Sequence, residues 1–161
     1  MSELTIGPMD LEAALAVVGW RYPPPYDVYS IADSPAEAAL FLAARERDYY
    51  QLRDGSGELV AFCCFGEEAR VPGGDYSLPA LDVGLGLRPD LTGRGHGRRI
   101  LEAILAFGAA RHGHATARLT VAAFNARAIR LYAGCGFAEV ARFASAFGGR
   151  ECIVMTRGLG A

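Results

Sequence analysis

The residues best suited to chemistry lie in two short stretches. Thr92-Gly93-Arg94-Gly95-His96-Gly97-Arg98 places three glycines at the opening of a helical pattern. Glycines leave backbone N–H groups uncovered, and a helix N-terminus carries about half a positive charge. The stretch therefore reads as an anion site, to which Arg94, Arg98 and Arg99 add formal charge; a plain glycine-rich turn is the other reading. A dinucleotide fingerprint is excluded, because the third glycine position counted from Gly93 is Arg98 and the required downstream acid is missing.

Just upstream, Leu81–Arg88 alternates, with Leu81, Val83, Leu85 and Leu87 on one face and Asp82, Gly84, Gly86 and Arg88 on the other. Two glycines on one face mark a bulge or a close approach by ligand or backbone, and Pro89 cannot donate to a ladder. A strand end freed from its neighbour can accept an extended ligand along its backbone. The second stretch runs from Asn125 to Phe137. By spacing its Tyr132 reads as a core tyrosine, since Ile129 and Ala128 stand three and four residues earlier on the same helical stripe. Asn125, the only Asn in the chain, reads first as an N-cap.

Composition removes other chemistries. All sixteen basic residues are Arg, so Schiff-base catalysis, pyridoxal-phosphate attachment and the Lys-bearing phosphate loop are excluded. Cys63, Cys64, Cys135 and Cys152 lack metal spacing, and His96, His112 and His114 lack partners, so no metal site is expected. Reduced, buried thiols suit a cytoplasm. With 161 residues, 52% hydrophobic and 21% charged, the chain reads as one domain, 1–161, and not as a disordered one. No apolar run is long enough to span a bilayer and no basic leader precedes Glu3 and Asp10, which reads as a cytoplasmic protein without a membrane partner.

A net charge of −2 argues against nucleic acid as a partner. Its distribution is uneven: residues 1–80 hold thirteen acids and five Arg, residues 81–161 five acids and eleven Arg. Between Arg94 and Arg130 stand seven Arg and one acid, Glu102. Such a basic stretch suits a compact polyanion, or simply an Arg-rich solvated helix face.

The elements that position these residues follow from periodicity and caps. A short strand near Leu4–Gly7 precedes a helix from its cap Asp10 to about Gly19. Three prolines make Trp20–Tyr26 a stiff, exposed, non-helical segment. Ser34-Pro35-Ala36-Glu37 reads as a capping box opening a helix that runs towards Arg47. Tyr49–Arg53 and Glu58–Phe65 form a hairpin around Gly55–Gly57. After a loop at Arg70–Pro79 and the Leu81–Leu87 strand, a helix covers Arg98–Arg111. Leu119–Ala123 is a strand, Asn125 opens a helix to about Ala133, and Phe137–Phe143 with Cys152–Arg157 closes the chain as a hairpin.

Val83-Gly84-Leu85-Gly86-Leu87-Arg88-Pro89-Asp90, then Gly93-Arg94-Gly95-His96-Gly97, then Asn125-Ala126-Arg127-Ala128-Ile129-Arg130-Leu131-Tyr132-Ala133-Gly134-Cys135-Gly136-Phe137 resembles the GNAT superfamily of N-acetyltransferases. That family's first motif is Arg/Gln-x-x-Gly-x-Gly/Ala and its second Asn-x-x-Ala-x-x-x-Tyr-x-x-x-Gly-Phe. The second is complete here; the first departs at Thr92, which affects a side-chain contact and leaves the backbone cradle. The resemblance covers residues 81–143 strongly and the N-terminal half by element order. It implies a mixed α/β (α+β) fold: a twisted, mostly antiparallel sheet of about six or seven strands, splayed between the fourth and fifth and flanked by about four helices.

It also implies a reaction. Acetyl-CoA would lie where the Leu81–Arg88 and Leu119–Ala123 strands splay, its pantetheine arm along Leu85, Gly86 and Leu87 as an added strand. Its pyrophosphate would rest on the amides from Thr92 or Gly93 to Arg98, with Asn125 and Tyr132 as further contacts. A primary amine would attack the thioester directly, a backbone N–H near Leu87 polarising the oxyanion. Tyr132 would be the general acid and Asp82 the base, with Glu67 and Glu68 as alternatives. The acceptor site would come from Trp20–Ser30, with Tyr22, Tyr26 and Tyr29, and from Phe143–Arg150, with Phe143 and Phe147; Glu68 joins them as an acceptor contact. Aromatic rings and acids suit a small cationic amine; a protein N-terminus is the other acceptor class. A silent acetyl-CoA sensor and an adenine-nucleotide module are the alternatives to an enzyme. Many relatives form homodimers, but no stripe here marks an interface.

Overall fold

The computed structural model describes residues 3–31 and 34–160. Its strands are β1 (Thr5–Pro8), β2 (Tyr49–Arg53), β3 (Leu59–Phe65), β4 (Leu81–Leu87), β5 (Thr116–Ala122), β6 (Ala138–Ala144) and β7 (Glu151–Gly158). Its α-helices are α1 (Leu11–Val18), α2 (Pro35–Ala43), α3 (Gly97–His112) and α4 (Ala126–Gly134). The seven strands follow the order β1-β2-β3-β4-β5-β7-β6. The β4–β5 ladder is parallel, and the β1–β2, β2–β3, β5–β7 and β6–β7 ladders are antiparallel. This is the mixed α/β architecture expected from the sequence. Two compact units divide the chain, Met1–Cys64 with Leu85–Ile100 and Phe65–Gly84 with Leu101–Ala161.

In the first unit, Asp10 caps α1 by accepting from the Ala13 amide at 2.8 Å. The helix buries Ala13, Ala14, Val17 and Val18 in a cluster with Met9, Ala39, Leu42 and Leu59, against which Trp20, Ile31 and Phe62 pack. The expected capping box does not form. Ser34 sits in the left-handed region (φ 43°) and makes no side-chain cap bond, whereas a cap needs an extended backbone to aim its oxygen at the helix amides. Helix α2 also ends earlier than expected, at Ala43. Arg45, Glu46 and Arg47 are all exposed, so further turns would have buried nothing. The proline-rich connection is non-helical as far as Pro25, then makes a 3₁₀ turn at Tyr26–Tyr29. Its ends are tied together, the Tyr22 amide donating to Ser30 Oγ at 3.0 Å.

In the second unit, buried Leu81 and Val83 of β4, Leu119 and Val121 of β5 and Ile153 and Met155 of β7 form the core with Leu101, Ile104 and Leu105 of α3. Gly108 of α3 lies flush against Phe65 and Leu81; a Cβ there would meet them at 2.6 and 2.8 Å. Strand β5 starts three residues before its expected position because a buried Arg118 interrupts the apolar pattern. All four cysteines are free and buried.

Candidate active site

The end of β4 belongs to the first unit. The Arg88 amide donates to the Val60 carbonyl of β3 at 2.9 Å. Across a trans peptide the N–H of one residue and the C=O of the preceding one point in opposite directions, so the Leu87 carbonyl points away from β3. On that side the parallel ladder to β5 runs only over Leu81–Val83. Beyond it, the outward peptide groups of Leu85 and Leu87 form a strand edge. The hydroxyl of Tyr22 reaches this edge and donates to the Leu87 carbonyl at 2.6 Å. Burial pushes the Tyr22 phenol up to about 12, which keeps it protonated and donating.

Two features hold the strand end in place. The Arg88 guanidinium donates to the Leu59 carbonyl at 2.9 Å and to Asp90 at 2.6 and 3.1 Å. Gly86 leaves room for the Phe62 ring, which a Cβ would meet at 2.3 Å. Its missing side chain thus serves a close approach by a neighbouring ring, and that ring pairs with Trp20 at 6.1 Å.

After a 3₁₀ turn at Pro89–Leu91, the Thr92 hydroxyl donates back to the Pro89 carbonyl at 2.7 Å. Gly93 (φ +70°) and Gly95 (φ +84°) take left-handed conformations before α3 starts at Gly97. Left-handed residues within a turn converge successive N–H groups into an anion-binding concavity. A Cβ on Gly95 would meet nothing within 4 Å, so its backbone is open to a ligand. The first unit thus joins Leu85–Leu87, Thr92–Arg98 and the connection that carries Tyr26 and Tyr29.

The other expected residues lie in the second unit. Asn125 Oδ1 accepts from the Ala128 amide at 3.1 Å, capping α4. Tyr132 lies on the same helix, half-buried, its ring 6.2 Å from that of Phe137. Its carbonyl accepts from the amides of Cys135 and Phe137, both at 3.0 Å, so the Gly-Phe end of the motif fastens the turn beneath the tyrosine. Gly136, at φ +91°, makes that reversal possible. Glu68 lies in a 3₁₀ turn after β3 and Phe147 is 77% exposed in the final hairpin.

Asp82 is 2% exposed. Arg118 donates to it through Nε at 2.5 Å and Nη2 at 2.9 Å, and Arg70 through Nε at 2.9 Å. Arg118 also donates to the Leu78 carbonyl at 2.7 Å, and its guanidinium lies 5.1 Å from the centre of the Tyr76 ring. The bond to Asp82 raises the Arg118 pKa. Arg118 therefore does not belong to the basic surface that its place between Arg94 and Arg130 suggested. Sequence reasoning gave no role to Phe62, and it placed Tyr22 among the acceptor-side tyrosines without foreseeing its bond to the Leu87 carbonyl.

The chain belongs to the GNAT acetyltransferase family: residues 14–137 match the Acetyltransferase (GNAT) family. It is an acyltransferase of that family. Three solved structures share its fold. A chimera of the spermidine N-acetyltransferase SpeG from Vibrio cholerae and hSSAT is 17% identical, with TM-score 0.78 over 98% of this chain and 96% of that one. A provisionally assigned GnaT-family acetyltransferase from Bordetella pertussis is 21% identical, with TM-score 0.73 over 98% and 96%. A provisionally assigned phosphinothricin N-acetyltransferase is 20% identical, with TM-score 0.69 over 99% and 100%. No curated protein sequence matches. Among the described residues no helix is long and apolar enough to cross a membrane, and no group of side chains is arranged to hold a metal ion.

Proposed function

We propose that this chain moves the acetyl group of acetyl-CoA to the primary amine of a small cationic molecule, in a complex that holds donor and acceptor together. The observation that carries this reading is the first unit's succession of an unladdered β4 edge and a left-handed glycine turn opening α3. Acetyl-CoA, when bound, supplies an activated acetyl thioester. The peptide groups of Leu85 and Leu87 pair with its pantetheine arm as a strand would, and the amides from Gly93 to Arg98 hold its pyrophosphate. Arg94 and Arg98 balance the phosphate charge, and Thr92 and His96 shape the same turn. The amide near Leu87 polarises the carbonyl under attack. Tyr132 Oη gives its proton to the departing sulfur, and Asn125 fixes the start of the helix that carries it.

Tyr26, Tyr29, Glu68 and Phe147 are assigned to the acceptor. Tyrosine faces and a carboxylate suit an ammonium, and the similar structures include enzymes named for spermidine. In this reading water takes the amine proton. Asp82, with both oxygens receiving guanidinium N–H groups, orders its unit and is not the base. Four free, buried thiols support a reducing compartment such as the cytoplasm.

The test is acetyl transfer to a panel of polyamines, amino acids, aminoglycosides and free-N-terminal peptides, read by mass spectrometry of the acceptors. Transfer to cationic small amines, lost in Tyr132→Phe, is the expected result. Donor binding without transfer to any amine would leave a sensor; absence of acetyl-CoA binding would overturn the reading.

A further inference from the structure

The Tyr22 hydroxyl stands where an incoming strand would make its hydrogen bonds. The Leu87 carbonyl points away from β3, and on that side Tyr22 donates to it at 2.6 Å. An amide N–H arriving along the same edge would approach this oxygen within about 3 Å, on the side where the phenol already takes up one of its two acceptor directions.

Hydrogen bonds link Tyr22 with the rest of the connection. The Tyr22 amide donates to Ser30 Oγ, the Tyr26 amide to the Pro23 carbonyl and the Ser30 amide to the Asp27 carbonyl, at 3.0, 2.8 and 3.0 Å. Two residues before Tyr22, Trp20 packs on Phe62, the ring that fills the space above Gly86. A change at the Leu87 carbonyl is thus joined to the segment that carries Tyr26 and Tyr29.

We propose that Tyr22 is a positioning residue that closes the β4 edge in the free enzyme, and that the donor's pantetheine amide displaces it from the Leu87 carbonyl, releasing the Trp20–Ser30 connection to receive the acceptor. This rests on the donor reading given above, and it makes donor binding precede acceptor binding.

The experiment measures binding of coenzyme A and of adenosine 3′,5′-bisphosphate, which lacks the pantetheine arm, to wild type and to Tyr22→Phe. Removing a bond that the donor must break tightens coenzyme A by about two- to tenfold and leaves the bisphosphate unchanged. Coenzyme A affinity that is unchanged or weaker, or an equal shift in both ligands, overturns the proposal. A wild type that binds the bisphosphate but gains nothing from the pantetheine arm overturns the donor reading itself. In wild type alone, emission from Trp20, the only tryptophan, shifts to the red with coenzyme A and not with the bisphosphate. A constant spectrum with saturating coenzyme A refutes release of the connection.

Discussion

Asp82→Asn separates a structural carboxylate from a catalytic one. The substitution keeps the shape of the side chain and removes its charge. Asp82 and the Arg118 side chain are 2% and 6% exposed, whereas Arg70 is 38% exposed. The cost therefore falls on Arg118, whose guanidinium stays buried without its counter-charge, while Arg70 can turn to water. Breaking a buried pair by removing one partner costs about 3–5 kcal/mol, and the retained amide oxygen places this case near about 3. With a urea dependence of about 2 kcal/mol per molar, the unfolding midpoint falls by roughly 1–2 M. Acetyl transfer by the molecules still folded keeps its pH profile and most of its kcat. A catalytic base would behave in the opposite way, its removal costing about 10²–10⁴-fold in rate and abolishing the acid limb of the profile. Urea titration and a pH–rate series on one preparation decide between them. An unchanged midpoint with turnover abolished would refute the structural assignment.

Further outcomes follow from the same geometry. Tyr132→Phe lowers kcat by about 10²-fold or more while leaving acetyl-CoA affinity, measured by calorimetry, near wild type. Gly95→Ala, forced to hold φ near +84°, loses about 1–2 kcal/mol; the cost appears as donor affinity weakened roughly tenfold in the same measurement. Gly86→Ala drives a methyl into the Phe62 ring and lowers stability by about 1–3 kcal/mol, visible in thermal unfolding. The Tyr22 phenol is raised to about 12 in the folded protein against about 10 for a free tyrosine. Its protonated form is thus favoured by folding, and this stability is intact below pH 10 and lost as pH rises towards 12. An alkaline series of unfolding midpoints should fall more steeply in wild type than in Tyr22→Phe.

What the sequence made legible is what neighbouring residues decide among themselves. Asp10 and Asn125 are three residues from the amides they cap, and the left-handed glycines of the α3 turn are dictated by backbone sterics at single positions. The motif around Tyr132 could be read for the same reason, since its glycine and phenylalanine close a turn within one segment. Ser34 shows the limit of such reasoning, because a capping sequence is overruled when its backbone is held left-handed. The larger omissions all span long separations. Arg118 meets Asp82 across 36 residues and Tyr22 meets Leu87 across 65, and neither partner carries a local sign of the other. A buried ion pair looks in sequence like two surface charges, and a hydroxyl aimed at a main-chain oxygen looks like any loop tyrosine. Both contacts fall on β4, the strand whose first half belongs to the second unit and whose last residues belong to the first. Local pattern therefore identifies this strand, whereas the groups that hold and occlude it come from distant residues that only folding brings to it.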